Sequence, residues 1–214
     1  MKIKSFLVVA GLTACLFALP VKAGQLEDGY AAFAREDYIS ALKLLETLAD
    51  QGNVGAQVQL GMMFEDGLGV PRDYAEALKL FRLAAEHGYF AAQYNLSAMY
   101  SKGTGVKRDP AEAAKWLKRS AEQGFGQAQF MLGRMYSLGK ELPPDYVQAY
   151  MWYSLAASNR AFDDFLHSAS KHERSKFVEQ KMTPDQISQA RQLTNEWVAV
   201  HPEAVANPVY QGKQ

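Results

Sequence analysis

The sequence predicts an all-α fold, a right-handed α/α solenoid of stacked helix pairs with N-terminal and C-terminal capping helices. Two observations predict it. Through the middle of the 214-residue chain the same residue types return every 36 positions, and each period holds two helix-spaced apolar faces parted by a glycine-rich break. One such pair cannot bury its own apolar face, whereas a stack of pairs buries a continuous core.

The chain opens with Met1-Lys2-Ile3-Lys4, an apolar run from Phe6 to Leu19, and then Pro20-Val21-Lys22-Ala23. Small residues at Val21 and Ala23 complete a secretory signal pattern over 1–23, with cleavage expected after Ala23. The run holds 14 residues, short of the ~20 that a spanning helix needs. Leu12-Thr13-Ala14-Cys15 resembles a lipobox, whose use would make a lipoprotein anchored through Cys15. The apolar run continues past Cys15 to a better site, so a free periplasmic or secreted protein is the leading expectation. Cys15 is the one cysteine, so the exported part would have no disulfide and must be held by its core. Cleavage removes Lys2, Lys4 and Lys22 and leaves 20 basic residues against 23 acidic ones. That balance gives no electrostatic footprint for nucleic acid or anionic lipid.

Residues 24–53 read as an N-terminal capping helix pair. Ala41, Leu44, Leu45 and Ala49 precede Ala77, Leu80, Phe81 and Ala85 by 36, and the turn falls at Arg35-Glu36-Asp37 instead of a Gly-x-Gly loop. Three full units follow at 54–89, 90–125 and 126–161. Gly52, Gly88 and Gly124 keep the 36-residue step, as do Ala56, Ala92 and Ala128, each followed by Gln. So do Leu60, Leu96 and Leu132, then Met63, Met99 and Met135, then Asp73, Asp109 and Asp145. In the first unit Ala56, Leu60, Met63 and Phe64 form one helix face. Gly67-Leu68-Gly69-Val70-Pro71 ends that helix, Asp73 caps the next, and Gly88 terminates it. The methionine ladder therefore reads as core, not as a copper site.

The third unit replaces the Gly-x-Gly loop with Gly139-Lys140-Glu141-Leu142-Pro143-Pro144, and its second helix is aromatic at Tyr150, Trp152 and Tyr153. C-terminal capping helices over 162–200 would cover that face, as a pair at about 162–180 and 184–199. Thr183-Pro184-Asp185-Gln186 supplies a capping box, and Ile187, Ala190, Leu193, Thr194 and Trp197 fall on the inner face of the last helix. Residues 201–214, with Asn207-Pro208 and Gly212, read as a disordered tail.

The order Ala-Gln-x-x-Leu-Gly-x-Met-Phe/Tyr-x-x-Gly-x-Gly-Val-x-x-Asp-x-x-x-Ala, seen from Ala56-Gln57 to Gly88 and again from Ala92-Gln93 to Gly124, resembles the Sel1-like repeat, a relative of the tetratricopeptide repeat. The segment from Asp145 to Tyr153, with Met182 to Ile187 and Glu196-Trp197, resembles the terminal part of bacterial Sel1-like proteins. The resemblance implies protein-binding adaptors and regulators, often in bacterial envelope processes. A cysteine-rich secreted branch linked to β-lactamase-like activity is not matched, because the exported part would lack cysteine.

The search for chemistry is mostly negative. His-Glu-x-x-His, Gly-x-Ser-x-Gly and a phosphate-binding glycine loop are absent. Ser137 with Lys140 and Ser168 with Lys171 match Ser-x-x-Lys, but the Ser-Asp-Asn and Lys-Thr-Gly partners of that motif are missing. His167 and His172 lie five apart, on different faces of a helix, and no metal set emerges. No enzyme and no cofactor are expected.

Surface recognition remains. Positions that repeat are packing; positions that change between units on the first helices are free to read a partner. On the expected concave side these are Gln59, Asn95 and Met131; Met62, Ala98 and Arg134; and Val58, Tyr94 and Phe130. The groove residues are thus Gln59, Met62, Tyr94, Asn95, Phe130, Met131 and Arg134. Val58, Tyr94 and Phe130 have an alternative role as spacers between neighbouring helices. The expected partner is a protein of the envelope, an enzyme, sensor or assembly component. The alternative is a cell-wall glycan or peptide fragment, for which Trp116 and Trp152 would need to face solvent; their 36-residue spacing puts them on the packing side. Oligomeric state is left open.

Overall fold

The computed structural model describes residues 24–158, 164–202 and 204; the expected signal, Cys15 and residues 205–214 lie outside the described residues. Among the described residues ten α-helices follow one another: α1 Gln25–Ala34, α2 Tyr38–Asp50, α3 Val54–Asp66, α4 Tyr74–Glu86, α5 Phe90–Lys102, α6 Pro110–Glu122, α7 Gly126–Leu138, α8 Tyr146–Ser158, α9 Asp164–Glu173 and α10 Pro184–Val200. Among the described residues there is no strand. Each helix from α1 to α8 packs on its sequence neighbour, while α9 and α10 both pack on α8. The result is an α/α solenoid with a closed C-terminal end.

Aspartate caps open the second helices. Asp73 accepts from the Ala75 and Glu76 N–H groups and Asp109 from those of Ala111 and Glu112, at 2.9–3.1 Å. The preceding loop is closed by the backbone: Asp73 N–H donates to Phe64 O, and Asp109 N–H to Tyr100 O, both at 2.9 Å. Its second glycine has a further task. A Cβ on Gly105, which sits at φ +68, would lie 2.5 Å from the Tyr74 carbonyl oxygen. The loop thereby rests directly on the second helix of the unit before, and Gly69 meets Tyr38 in the same way.

Consecutive units are joined by buried glutamines. Gln57, Gln93 and Gln129 donate through Nε2 to the carbonyl oxygens of Ala49, Ala85 and Ala121, at 3.2, 3.3 and 3.2 Å. Each acceptor lies in the last turn of the previous helix, and all three glutamines are buried.

Within a unit the two helices meet at a small residue under a large one. A Cβ on Gly61 would lie 2.7 Å from the Phe81 ring, and one on Gly133 would lie 2.8 Å from the Tyr153 ring. The middle unit carries Ser97 and Leu117 at those positions, both buried. Less bulk on one helix thus accompanies more on the other.

The expected closing pair is present with one departure. After α9 the chain passes through a π-helical turn, Arg174–Val178, and a short 3₁₀ turn, Glu179–Lys181. Arg174 stacks over the Tyr150 ring at 5.3 Å and donates to Ser154 Oγ, and Val178 is fully buried beside Tyr150 and Tyr153, which accounts for the extra residue in the turn. Thr183 and Gln186 form the expected capping box. Of the predicted inner face of α10, Ala190 is buried and Ile187, Leu193, Thr194 and Trp197 are half-buried. Trp197 meets Trp152 edge-on at 6.2 Å. The expected tail starts at 201, yet His201 stacks on Trp197 at 4.4 Å and Ala204 is buried against Gly124. The missing side chain of Gly124 admits the Ala204 backbone, so packing reaches residue 204, four positions past the expected end of the capping helices at 200.

The small–large rule is testable at Gly61. Alanine in a helix interior ordinarily stabilises by about 1 kcal/mol over glycine. Here Gly61→Ala should instead cost about 1–3 kcal/mol by overpacking against Phe81, and Phe81→Leu should relieve most of that cost. Urea unfolding of both single variants and the double checks this; strictly additive losses would mean that ring and glycine do not interact.

Candidate functional site

The first helices expose one line of residues at i, i+3 and i+7. It comprises Gln59, Met62 and Asp66 on α3, Asn95, Ala98 and Lys102 on α5, and Met131, Arg134 and Leu138 on α7, all exposed or half-buried. Neighbouring positions such as Leu60, Met63, Leu96 and Met99 turn into the core. Large apolar groups are left in solvent on this line, with Met62 at 37% and Leu138 at 55% exposure.

Between units two and three the face opens into a pocket of about 190 Å³. Tyr94, Ser97 and Ala98 of α5 line it together with Met131 and Met135 of α7. Ala113 and Leu117 contribute from α6, and Ser101, Lys102 and Glu141 add polar groups. Two departures from the repeat create it. Leu117 stands where the other units carry the rings of Phe81 and Tyr153, so less volume fills the space beneath α5. Glu141 stands where the other units carry Gly69 and Gly105, a place with no room for a side chain against the preceding helix. The loop of unit three consequently takes another course, and its carboxylate reaches back to unit two. Glu141 Oε1 accepts from Ser101 Oγ at 3.0 Å and from Arg108 Nη2 at 3.4 Å, and Arg108 Nε donates to the Ser101 carbonyl oxygen at 3.0 Å.

Two cations lie at or beside the pocket. Lys102 lines it and Arg134 brings Nη1 to 4.0 Å from Met131 Sδ; neither has an ion-pair partner among the described residues. One unit earlier, Glu65 occupies the register of Ser101. Burial pushes its carboxyl up, Lys102 pulls it down and Asp66 adds a smaller upward push.

The seven residues expected in the groove separate into two groups. Gln59, Met62, Asn95, Met131 and Arg134 lie on the open line. Tyr94 lines the pocket but is partly packed, edge-on to Phe125 at 5.4 Å. Phe130 packs into the C-terminal cluster, 5.6 Å from the Tyr153 ring. Val58, at the same register, is buried. That register therefore serves packing between units, the alternative role named for it. Sequence reasoning missed Lys102 and Leu138, one turn beyond the positions compared, although they vary between units as much as the chosen ones. It also missed Ser101 and Glu141; the signal for Glu141 was the loss of the second loop glycine.

Ser137, Trp116 and Trp152, considered above for chemistry or ligand contact, are engaged in the fold. Ser137 Oγ donates to the Arg134 carbonyl oxygen at 3.1 Å and lies 3.3 Å from the Tyr153 hydroxyl, whose pKa burial pushes up to about 12 against the opposing bond from Ser137. Trp116 and Trp152 are buried in the stack. No cluster of three metal-ligating side chains occurs among the described residues, and none of their helices is long and apolar enough to cross a membrane.

The first helices of this helical-repeat solenoid thus carry a variable exposed line and a pocket. The chain belongs to the Sel1 repeat family: the family model matches residues 24–53, 54–89, 90–125 and 126–160. The pair read as an N-terminal cap is thus itself a repeat, one that lacks the Gly-x-Gly loop. Sel1 repeats generally mediate protein–protein interaction. A Sel1 repeat protein from Oxalobacter formigenes is 29% identical with a TM-score of 0.64, over 80% of this chain and 70% of that one. A protective antigen of uropathogenic Escherichia coli with an SLR fold is 27% identical with a TM-score of 0.57, over 89% of this chain. This chain spans 50% of the antigen's length. No curated protein matches.

Glu65 offers a direct electrostatic check. A carboxyl whose pKa is raised by folding weakens the fold at neutral pH, and the penalty fades as pH falls through the folded value toward the ordinary value of 4.5. Glu65→Gln should therefore raise the melting temperature at pH 7, with the gain vanishing in acid. A gain independent of pH would remove burial of the charge as its cause.

Proposed function

We propose that this protein is an exported adaptor or regulator of the bacterial envelope that binds a partner protein along the exposed line of its first helices and performs no turnover. The observation that carries the reading is the contrast within the repeat: core positions recur from unit to unit, while Gln59, Asn95 and Met131, then Met62, Ala98 and Arg134, change and remain accessible. A prebuilt helical surface loses little conformational freedom on binding, which favours recognition of a flexible segment. Export rests on the signal pattern of residues 1–23, with cleavage after Ala23. Glycan binding is less well supported, since Trp116 and Trp152 are buried and offer no platform to a sugar ring.

The test is a crosslinking pull-down from envelope extract, with wild-type bait and a bait carrying Gln59→Ala, Asn95→Ala and Arg134→Glu. A protein captured by the first and lost from the second is the expected result. Equal capture by both baits would move the binding surface off the first helices, and no specific capture by a folded bait would count against an adaptor. The intact mass of the exported protein should correspond to a start at Gly24; a lipid-modified Cys15 at its N-terminus would replace the free protein with an anchored one.

A further inference from the structure

The pocket between units two and three is apolar inside, cationic at its edge and built at one junction of the repeat. Leu117, Met131 and Met135 supply apolar lining to about 190 Å³. An apolar cavity of about 150 Å³ admits benzene, so one branched or aromatic side chain fits. The two thioethers are soft and adapt to the shape of what enters. Lys102 and Arg134 are exposed and have no ion-pair partner among the described residues. Glu141, the one acidic group in the lining, is held by Ser101 and Arg108. Glu65 and Asp66 belong to α3, one unit away; the partly buried Glu65 attracts Lys102 but forms no ion pair with it among the described residues. The free charge at the pocket edge is therefore positive.

We propose that this pocket anchors a peptide segment of the partner in which a branched or aromatic residue lies beside an acidic one: the apolar side chain enters between α5 and α7, and the carboxylate pairs with Lys102 and Arg134. The proposal rests on the reading of the first-helix face as a protein-binding surface and assigns its chemistry. Apolar insertion into a desolvated pocket provides the affinity, and the two cations provide register and discrimination against basic segments.

The repeat itself supplies a pocket-filling variant. Ser97→Gly with Leu117→Phe recreates the glycine–aromatic pair of the neighbouring units, so the fold should accept it while the space closes. Lys102→Glu with Arg134→Glu changes two exposed positions and leaves the pocket open. Random phage-displayed peptides are selected on the wild-type full chain, and the methionine methyl groups are followed by NMR. Enriched peptides should share Leu, Ile, Met or Phe within a few residues of Asp or Glu. They should shift the Met131 and Met135 methyls but not those of Met63 and Met99, and bind both double variants at least tenfold more weakly. Undiminished binding to the pocket-filled protein overturns the anchor; if Gln59→Ala with Asn95→Ala still weakens those peptides, the first-helix surface stands without it. A basic consensus overturns the assignment of charge. Failure to enrich any peptide overturns both the anchor and the broader surface reading.

Discussion

Everything in this molecule depends on how one helix pair is held to the next, and the buried glutamine is the fixed point of that joint. Gln57, Gln93 and Gln129 each place an amide in the core, where an unpaired polar group is costly. Nε2 meets part of that cost by bonding the alanine carbonyl in the last turn of the preceding helix, while Oε1 of Gln57 and of Gln129 is buried without a partner among the described residues. That carbonyl also receives the N–H of Gly52, Gly88 or Gly124, so the same acceptor ties both the turn and the next unit. A slip of one residue between units would leave amide and carbonyl apart, which makes the bond a device for register. Gln93 is tied twice, since its Oε1 also accepts from Gln123 Nε2 at 2.8 Å.

With the register set, the space between helices becomes a question of volume. The aromatic rings of Phe81 and Tyr153 need the glycines beneath them, and Leu117 tolerates Ser97. The middle unit is therefore packed by other means than its neighbours, and its junction with the third unit is the place where the repeat relaxes into a pocket. Loss of the second loop glycine acts at the same junction. A backbone contact between units is replaced there by a polar clasp of Glu141, Ser101 and Arg108. A partly exposed ion pair contributes little stability, so the effect of the clasp is to place a loop and a carboxylate. Deviations from the repeat that would count as flaws in a pure scaffold are the features that give this solenoid an individual surface.

The C-terminal end shows the same logic at a terminus. A solenoid without a cover exposes its last apolar face, and α8 is buried nearly all round because α9, the π-helical turn and α10 close on it. The π-helical turn brings Val178 and Arg174 onto Tyr150 and Tyr153. Arg191 adds a bond from Nε to the Tyr150 hydroxyl at 3.2 Å. The described residues include no cysteine that could form a disulfide, and burial of aromatic residues by helices from three directions holds this end together.

The repeated residues were enough to read the helix pairs, their caps, the glycine turns, the core places of Met63 and Met99 (though not the half-buried Met135) and the capping box of Thr183, because each depends on interactions within about ten residues or on a face that periodicity alone defines. The same comparison located the exposed line of Gln59, Asn95, Met131 and Arg134, although the equally variable register of Val58, Tyr94 and Phe130 turned out to pack. Two kinds of fact required the assembled chain. Tyr94 and Phe130 share a register, yet one lines a pocket and the other sinks into the terminal cluster, because the next element beside Tyr94 is another repeat and the next beside Phe130 is the closing helices. The pocket and its clasp join residues from α5, α6, α7 and a loop 40 positions from Ser101. Local sequence determines what each helix can bury; only the stacking of neighbours decides which side chain meets which, and where the packing leaves room.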